Sequence, residues 1–173
     1  MKKLLFGIFL SFGIGAFAQE VPKVQKTKFS EEALAQKLIT QQGKKLSVKE
    51  VLQQHQGKIV IIDFWASWCR DCILALPKTS QLTANNPNVH FVYFSLDRSM
   101  EQWKRGLDKY DIDDKENYWF DEGWKNNFNN FIDLNWVPRF MVVDQKGDIA
   151  KYYAIAPDDP EIQQTIDRLT NQQ

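Results

Sequence analysis

Cys69 and Cys72, the two cysteines of the chain, stand three positions apart in the stretch WASWCRDC. Three uses fit that spacing. As a reactive pair, one thiolate would attack a client disulfide and the other thiol would resolve the mixed disulfide. As half of a metal site, the pair would need further ligands. As a structural disulfide, it would brace the fold. A bridge over two intervening residues closes a very small loop, and loop closure of that size contributes little stability. Other metal donors are scarce. His55 and His90 are the two histidines. His90 lies in an apolar run expected to pack or to sit at a sheet edge, and His55 is expected at a surface helix end. No metal is therefore expected. A c-type haem attachment needs His after the second cysteine, where Ile73 stands. The pair is best explained by exchange chemistry.

That chemistry depends on where the pair sits. KIVIIDFWA, residues 58–66, is almost continuously apolar and rich in β-branched residues, as in a central strand buried on both faces. After the cysteines, CILALPKTSQLTAN places Ile73, Leu76 and Leu82 at helical spacing. Cys69 thus falls where a strand ends and a helix begins. Free N–H groups and the helix dipole favour a thiolate there. Arg70 acts in the same direction and Asp71 against it. Cys72, one turn further in, is expected to be more buried and less ionised. Cys69 is then the attacking sulfur and Cys72 the resolving one. Asp63 lies inside the apolar strand, six residues before Cys69. A lone carboxylate there is costly unless protonated or hydrogen-bonded. It is either the proton acceptor that Cys72 needs or a buried aspartate satisfied by backbone or water.

Around this centre the remaining elements follow from pattern. Residues 36–48 read as a hairpin, with a short helix from Ser30 as the competing reading. Ser47 and Glu50 have capping-box spacing and start a helix through Gln54. NVHFVYFSL (88–96) is a second buried strand. Residues 99–110 form a helix with Ser99 as N-cap and Gln102 at the reciprocal position. A short strand is expected at Tyr118–Phe120, and a helix over GWKNNFNNFIDL. Residues 139–154 read as a hairpin about Gln145–Asp148. A last helix carries Ile162, Ile166 and Leu169 on one face, with Pro160 in its first turn. Strands alternating with helices give an α/β fold. The closing hairpin makes the central sheet mixed, with helices on both faces.

Bulk properties bound the rest. At 173 residues the chain suits one domain. Residues 1–18 read as a signal peptide: Lys2 and Lys3, an apolar run from Leu4, then Ala16-Phe17-Ala18, with the cut expected between Ala18 and Gln19. The run is shorter than the roughly 20 residues that span a bilayer. Residues 19–35 are polar and lysine-rich, a flexible lead-in, and 36–173 form the domain. With Lys2 and Lys3 removed, the 22 basic residues become 20 against 22 acidic, net −2. No basic patch points to nucleic acid.

DFWASWCRDC, with Pro77 five residues after the second cysteine, resembles the active-site stretch of thioredoxin. WVPRFMVVDQKGDI resembles that family's cis-proline segment and the hairpin after it. The resemblance covers about residues 36–170, and the signal peptide and flanking hairpins are most similar to the exported TlpA/ResA-like branch. It implies a thioredoxin fold. It implies thiol–disulfide exchange through Cys69 and Cys72, with Asp63 at the family's buried-acid position and a cis Val137–Pro138 peptide beside the cysteines. It implies a substrate groove with Trp68, Arg70, Asp71 and Val137. Arg139, where relatives often carry Thr, either projects into that groove and favours acidic partners or is a solvated surface arginine. Ala75 stands where cytochrome c maturation proteins of this branch often have Glu, so no such assignment follows. The expected partners are protein disulfides and a dithiol electron donor, with a membrane-embedded protein the expected source. No cofactor is implied, a monomer is expected, and the compartment is the periplasm or another exported one. The runner-up readings are a disulfide oxidase or isomerase and a non-catalytic binding module.

Overall fold

The computed structural model describes residues 21–171, so the expected signal peptide and its cut site lie outside the described residues. The elements are α1 (Glu31–Ala35), β1 (Lys37–Thr40), β2 (Lys45–Ser47), α2 (Val48–Gln53), β3 (Ile59–Trp65), α3 (Arg70–Asn85), β4 (Val89–Ser95), α4 (Met100–Lys109), β5 (Asn117–Trp119), α5 (Asn127–Phe131), β6 (Arg139–Val143), β7 (Ile149–Ala154) and α6 (Pro160–Thr170). The seven strands form one sheet in the order β2-β1-β5-β4-β3-β6-β7. β3 runs parallel to β4 and antiparallel to β6, which pairs antiparallel with β7. The mixed α/β sheet is the one expected from the pattern.

β3 lies at the centre and is buried along its whole length, as its apolar run requires. Its side chains alternate between two cores. Val60, Ile62 and Phe64 face a large core shared with α1, α2, α4 and α5, where Phe94, Phe120 and Phe128 pack ring against ring. Ile59 and Ile61 face the other side, against Leu82 of α3 and Ile162, Ile166 and Leu169 of α6. Asp63, next in that alternation, therefore lies on the face covered by α3, the helix that carries Cys72.

The helix caps follow the sequence. Ser47 and Glu50 form the reciprocal capping box of α2. Ser99 caps α4 through the Gln102 N–H, but the Gln102 side chain accepts from the Arg98 N–H instead of the Ser99 N–H. The helix expected over GWKNNFNNFIDL is reduced to α5. Gly123 and Asp133 stand at φ 62° and φ 53°, positions that cannot continue a right-handed helix. The Asn126 side chain caps what remains. β5 is Asn117–Trp119, one residue earlier than expected.

Two expectations about surface residues are overturned. His55 is buried at the end of α2. Its Nε2 lies 2.9 Å from Glu116 and its ring stacks on His90 at 4.7 Å. The expected lead-in is docked from Lys26 onward: Lys26 Nζ donates to Asp133 (2.8 Å), and Phe29 stacks on Phe128 at 5.4 Å. Both the short helix from Ser30 and the hairpin after it are present, as α1 and β1–β2.

Gly106 on α4 marks a close approach to the cysteine turn. A Cβ added there would lie 2.3 Å from the Ser67 Cβ. Helix propensity alone would make Gly106→Ala stabilising by up to about 1 kcal/mol. The clash with Ser67 reverses the sign, and we expect a net loss of about 1–2 kcal/mol. The urea midpoint of the variant relative to the parent checks this, with an unchanged slope.

Candidate active site

The cysteine turn begins where β3 ends. Ala66 accepts a hydrogen bond from the Cys69 N–H (3.0 Å). Ser67 is held by Asp97, just past the end of β4. Both carboxylate oxygens accept from the Ser67 N–H (3.1 and 3.2 Å), and Oδ1 accepts from the Ser67 hydroxyl (2.6 Å). Ser95 Oγ donates to the same carboxylate, while Trp119 Nε1 donates to the Asp97 carbonyl (2.7 Å). This buried carboxylate fixes the approach to Trp68 and Cys69, and no pattern in the sequence singles it out. Ser67 lies thirty residues from it in the chain, so only the β3–β4 pairing brings the two together.

Cys69 is the N-cap of α3. Its Sγ accepts from the Cys72 N–H at 3.1 Å, so a helix-start N–H points at the sulfur as expected. The two sulfurs are joined as a disulfide, with Cα atoms 5.2 Å apart. Both cysteines are buried, Cys72 slightly more so. The Val137–Pro138 peptide is cis, and the Val137 carbonyl oxygen lies 3.5 Å from Cys69 Sγ. A reduced Cys69 thiol can donate to that oxygen.

Asp63 is 3% exposed, and no protein group hydrogen-bonds its Oδ1. Burial pushes its pKa up to about 8. The group is a carboxyl held protonated near neutral pH on the α3 side of the sheet.

A groove of ≈ 360 Å³ opens over the disulfide. The structure brings Trp68, Arg70, Asp71 and Val137 to its wall, together with Trp124, Asn135 and Trp136. Arg70 and Asp71 are both exposed on the first turn of α3. Arg139 is not part of the groove, and neither expectation for it holds. It is 1% exposed, turned into the molecule, with Nη2 donating to the Tyr152 carbonyl at 2.8 Å. Its guanidinium stacks on Tyr153 and Tyr152, 4.2 and 5.2 Å from the ring centroids, and burial pulls its pKa down to about 10. The reason is register: as the first residue of β6 it faces the two tyrosines of β7 instead of solvent.

Trp124 and Asn135 escape sequence reasoning because both lie on loops. Trp136 is legible only as a neighbour of Pro138. The usable signal is a tryptophan immediately before the V-P dipeptide, in a segment whose resemblance already places it beside the cysteines.

A sequence model of the family described as Thioredoxin-like matches residues 57–149. Thioredoxin-like protein YneN of Bacillus subtilis is 31% identical over 121 residues, 65% of this chain and 69% of that protein. The solution structure of a candidate thiol–disulfide oxidoreductase from Bacteroides vulgatus superposes with a TM-score of 0.67 at 25% identity, covering 84% of this chain and 92% of that one. A secreted disulfide oxidoreductase of Mycobacterium tuberculosis, described as homologous to E. coli DsbE, superposes with a TM-score of 0.60 at 22% identity over 81% of this chain and 100% of that one, a likeness of fold. The match spans 28% and 52% of the lengths of two curated thioredoxins.

Proposed function

The chain belongs to the thioredoxin-like family, and from that premise we propose that it is an exported thiol–disulfide oxidoreductase that reduces protein disulfides. The observation that carries the reading is the placement of Cys69 Sγ. It is at once the N-cap of α3, a partner of Cys72 across a disulfide, and part of the wall of an open groove. A structural staple gains nothing from the last of these.

The exchange runs in two balanced steps. In the reduced protein the Cys69 thiolate attacks one sulfur of the client disulfide. A Cys69–client bond forms, the client S–S bond breaks, and the departing client thiolate takes up a proton. Cys72 then gives its proton to an acceptor and attacks Cys69 Sγ. The Cys69–Cys72 bond forms and the second client thiolate leaves. The client gains two electrons and two protons, and the protein ends as the disulfide. A dithiol protein of the same compartment restores the reduced state by the same chemistry in reverse. Asp63 is the proton acceptor for Cys72 in this scheme. With a pKa near 8, a minority of the carboxyl is ionised at neutral pH. That carboxylate takes the Cys72 proton and afterwards passes it on to the departing client thiolate. The Cys72 N–H directed at Cys69 Sγ favours the thiolate that attacks.

Export rests on the sequence of residues 1–18, whose basic start, apolar run and A-x-A end fit a cleaved signal. The secreted fold neighbour is in keeping with it. No helix among the described residues is long and apolar enough to cross a membrane.

The reduction potential of the Cys69–Cys72 couple tests the direction. We expect a value near that of thioredoxin, about −270 mV, measured by equilibration with a glutathione or dithiothreitol buffer. A value near about −120 mV, that of a strong oxidant such as DsbA, would assign the chain to disulfide formation instead.

A further inference from the structure

Three tryptophans converge on one groove, and two of them are unusually open. Trp68 is 44% exposed and Trp136 46% exposed, and both face the groove that holds Cys69. Trp124 stands across from Trp68 at 6.4 Å between ring centroids. Indoles left in water on a folded surface cost free energy unless something covers them, and such patches mark binding surfaces.

The loops that present these rings are fastened from below. The Trp124 loop is tied by Asn126 and Asn129, both buried, whose side-chain amides donate to the Gly123 carbonyl at 2.8 and 3.1 Å. The Trp136 loop is tied at one end by Asp133, which accepts from Lys26 and Tyr152 at 2.8 Å each. At the other end it is tied by Arg139, whose Nη2 reaches the Ile132 and Tyr152 carbonyls. Trp68 follows the serine clamped by Asp97. Rings held in this way lose little freedom when they are covered, so most of the gain from burying them appears as affinity.

The groove's charges oppose each other. Arg70 and Asp71 are adjacent and of opposite sign, and Arg139 is withdrawn into the interior. A charged client therefore gains little net attraction. The volume of ≈ 360 Å³ is at the small end of ligand pockets and suits a few side chains.

We infer that Trp68, Trp124 and Trp136 form an aromatic rim that selects client disulfides whose cysteine is flanked by apolar or aromatic side chains. The occupant is a short segment of a client chain, because the groove is lined by Cys69, with whose sulfur a client must exchange. This rests on the oxidoreductase reading and adds a substrate class to it. Leu, Phe or Met beside the client cysteine enters between the indoles, while the client sulfur reaches Cys69.

The test uses three synthetic peptides, each with one disulfide, identical except that the residues flanking the cysteines are Leu, Ser or Glu. A small aliphatic disulfide, bis(2-hydroxyethyl) disulfide, is run beside them. With the reduced full-length mature protein we expect kcat/KM for the Leu-flanked peptide to exceed that for the Ser- and Glu-flanked ones by roughly tenfold or more, carried mainly by KM. Trp124→Ala and Trp136→Ala each bring the ratio towards one, and Trp124→Phe largely keeps it. Because Trp136 is exposed, its replacement leaves the core untouched, so that variant reports even if Trp124→Ala fails to fold. Equal turnover of the three peptides, or a preference that survives both alanine variants, overturns the inference and leaves the oxidoreductase reading standing. A dimer that Trp136→Ala dissociates, with no flank preference, also overturns it and assigns the rim to self-association. No turnover of any peptide and none of the small disulfide overturns the oxidoreductase reading itself.

Discussion

Cys69→Ser is expected to abolish disulfide exchange, with a loss on the order of 10³-fold or more, because a hydroxyl at that position cannot form the first mixed disulfide. Cys72→Ser has a different outcome. Cys69 still attacks, but nothing resolves the product, so a Cys69–client adduct accumulates. The two variants thus separate the roles that the proposed exchange gives to two sulfurs of one bridge. Fold is not at stake in either. The bridge closes a loop with two intervening residues, and its loss costs little by chain entropy. The measurement is non-reducing electrophoresis and mass spectrometry of the client mixture, with turnover of a protein disulfide in parallel. Full activity of Cys69→Ser would return the chain to a non-catalytic binding role. An adduct trapped by the Cys72→Ser variant and released by dithiothreitol would fix the order of attack.

Asp63→Asn is expected to flatten the pH dependence of stability. The carboxyl has a pKa of about 8 in the folded protein against 3.8 as its ordinary value. The folded state therefore holds its proton more tightly than the unfolded state. Below the ordinary value both states are protonated and there is no penalty. As pH rises through the interval the unfolded chain releases the proton and the folded one does not, so stability falls. Above about 8 the carboxylate is ionised inside the fold and the full penalty applies, on the order of 5 kcal/mol. Asparagine has no such titration. The stability of Asp63→Asn relative to the parent should therefore climb by several kcal/mol between about pH 4 and about pH 9, read from urea unfolding in the disulfide form. The same change should slow the resolving step near neutral pH, on the order of 10²-fold, with the defect shrinking at high pH where Cys72 ionises unaided. A parent and variant with parallel pH profiles would show that Asp63 is not the buried acid described. Stability and activity are expected to move in opposite directions, because the group to which the proposed exchange gives proton transfer is one the fold would be better without.

Much of this architecture is legible in the sequence, and the part that is not shares one cause. β3 declares itself through an uninterrupted apolar run, and α6 through Ile162, Ile166 and Leu169 on one face. Ser47 and Glu50 announce α2. These are local signals. Cys69, Cys72 and Asp63 stand out by spacing and position in the apolar strand and helix start, whereas the cis Val137–Pro138 peptide becomes legible only when a family resemblance is added. What escapes depends on partners distant in the chain. Arg139 is expected in solvent or in the groove, and only the pairing of β6 with β7 sets it against Tyr152 and Tyr153. His55 is expected at the surface, and stacking on His90 covers it. Trp124 falls within an expected helix that Gly123 prevents from starting so early. The Asp97 clamp on Ser67 joins the ends of two strands that no local pattern relates.

The groove is assembled from three stretches of chain: the turn after β3, the loop before α5, and the segment leading into β6. No single stretch contains it. Its walls meet only when β3 lies between β4 and β6, at the centre of the seven-stranded sheet. Before that point Cys69 lacks the helix start, the Val137 carbonyl and the indoles around it, and behaves as an ordinary thiol. The groove and the surroundings of Cys69 are therefore a single all-or-none property of the folded chain.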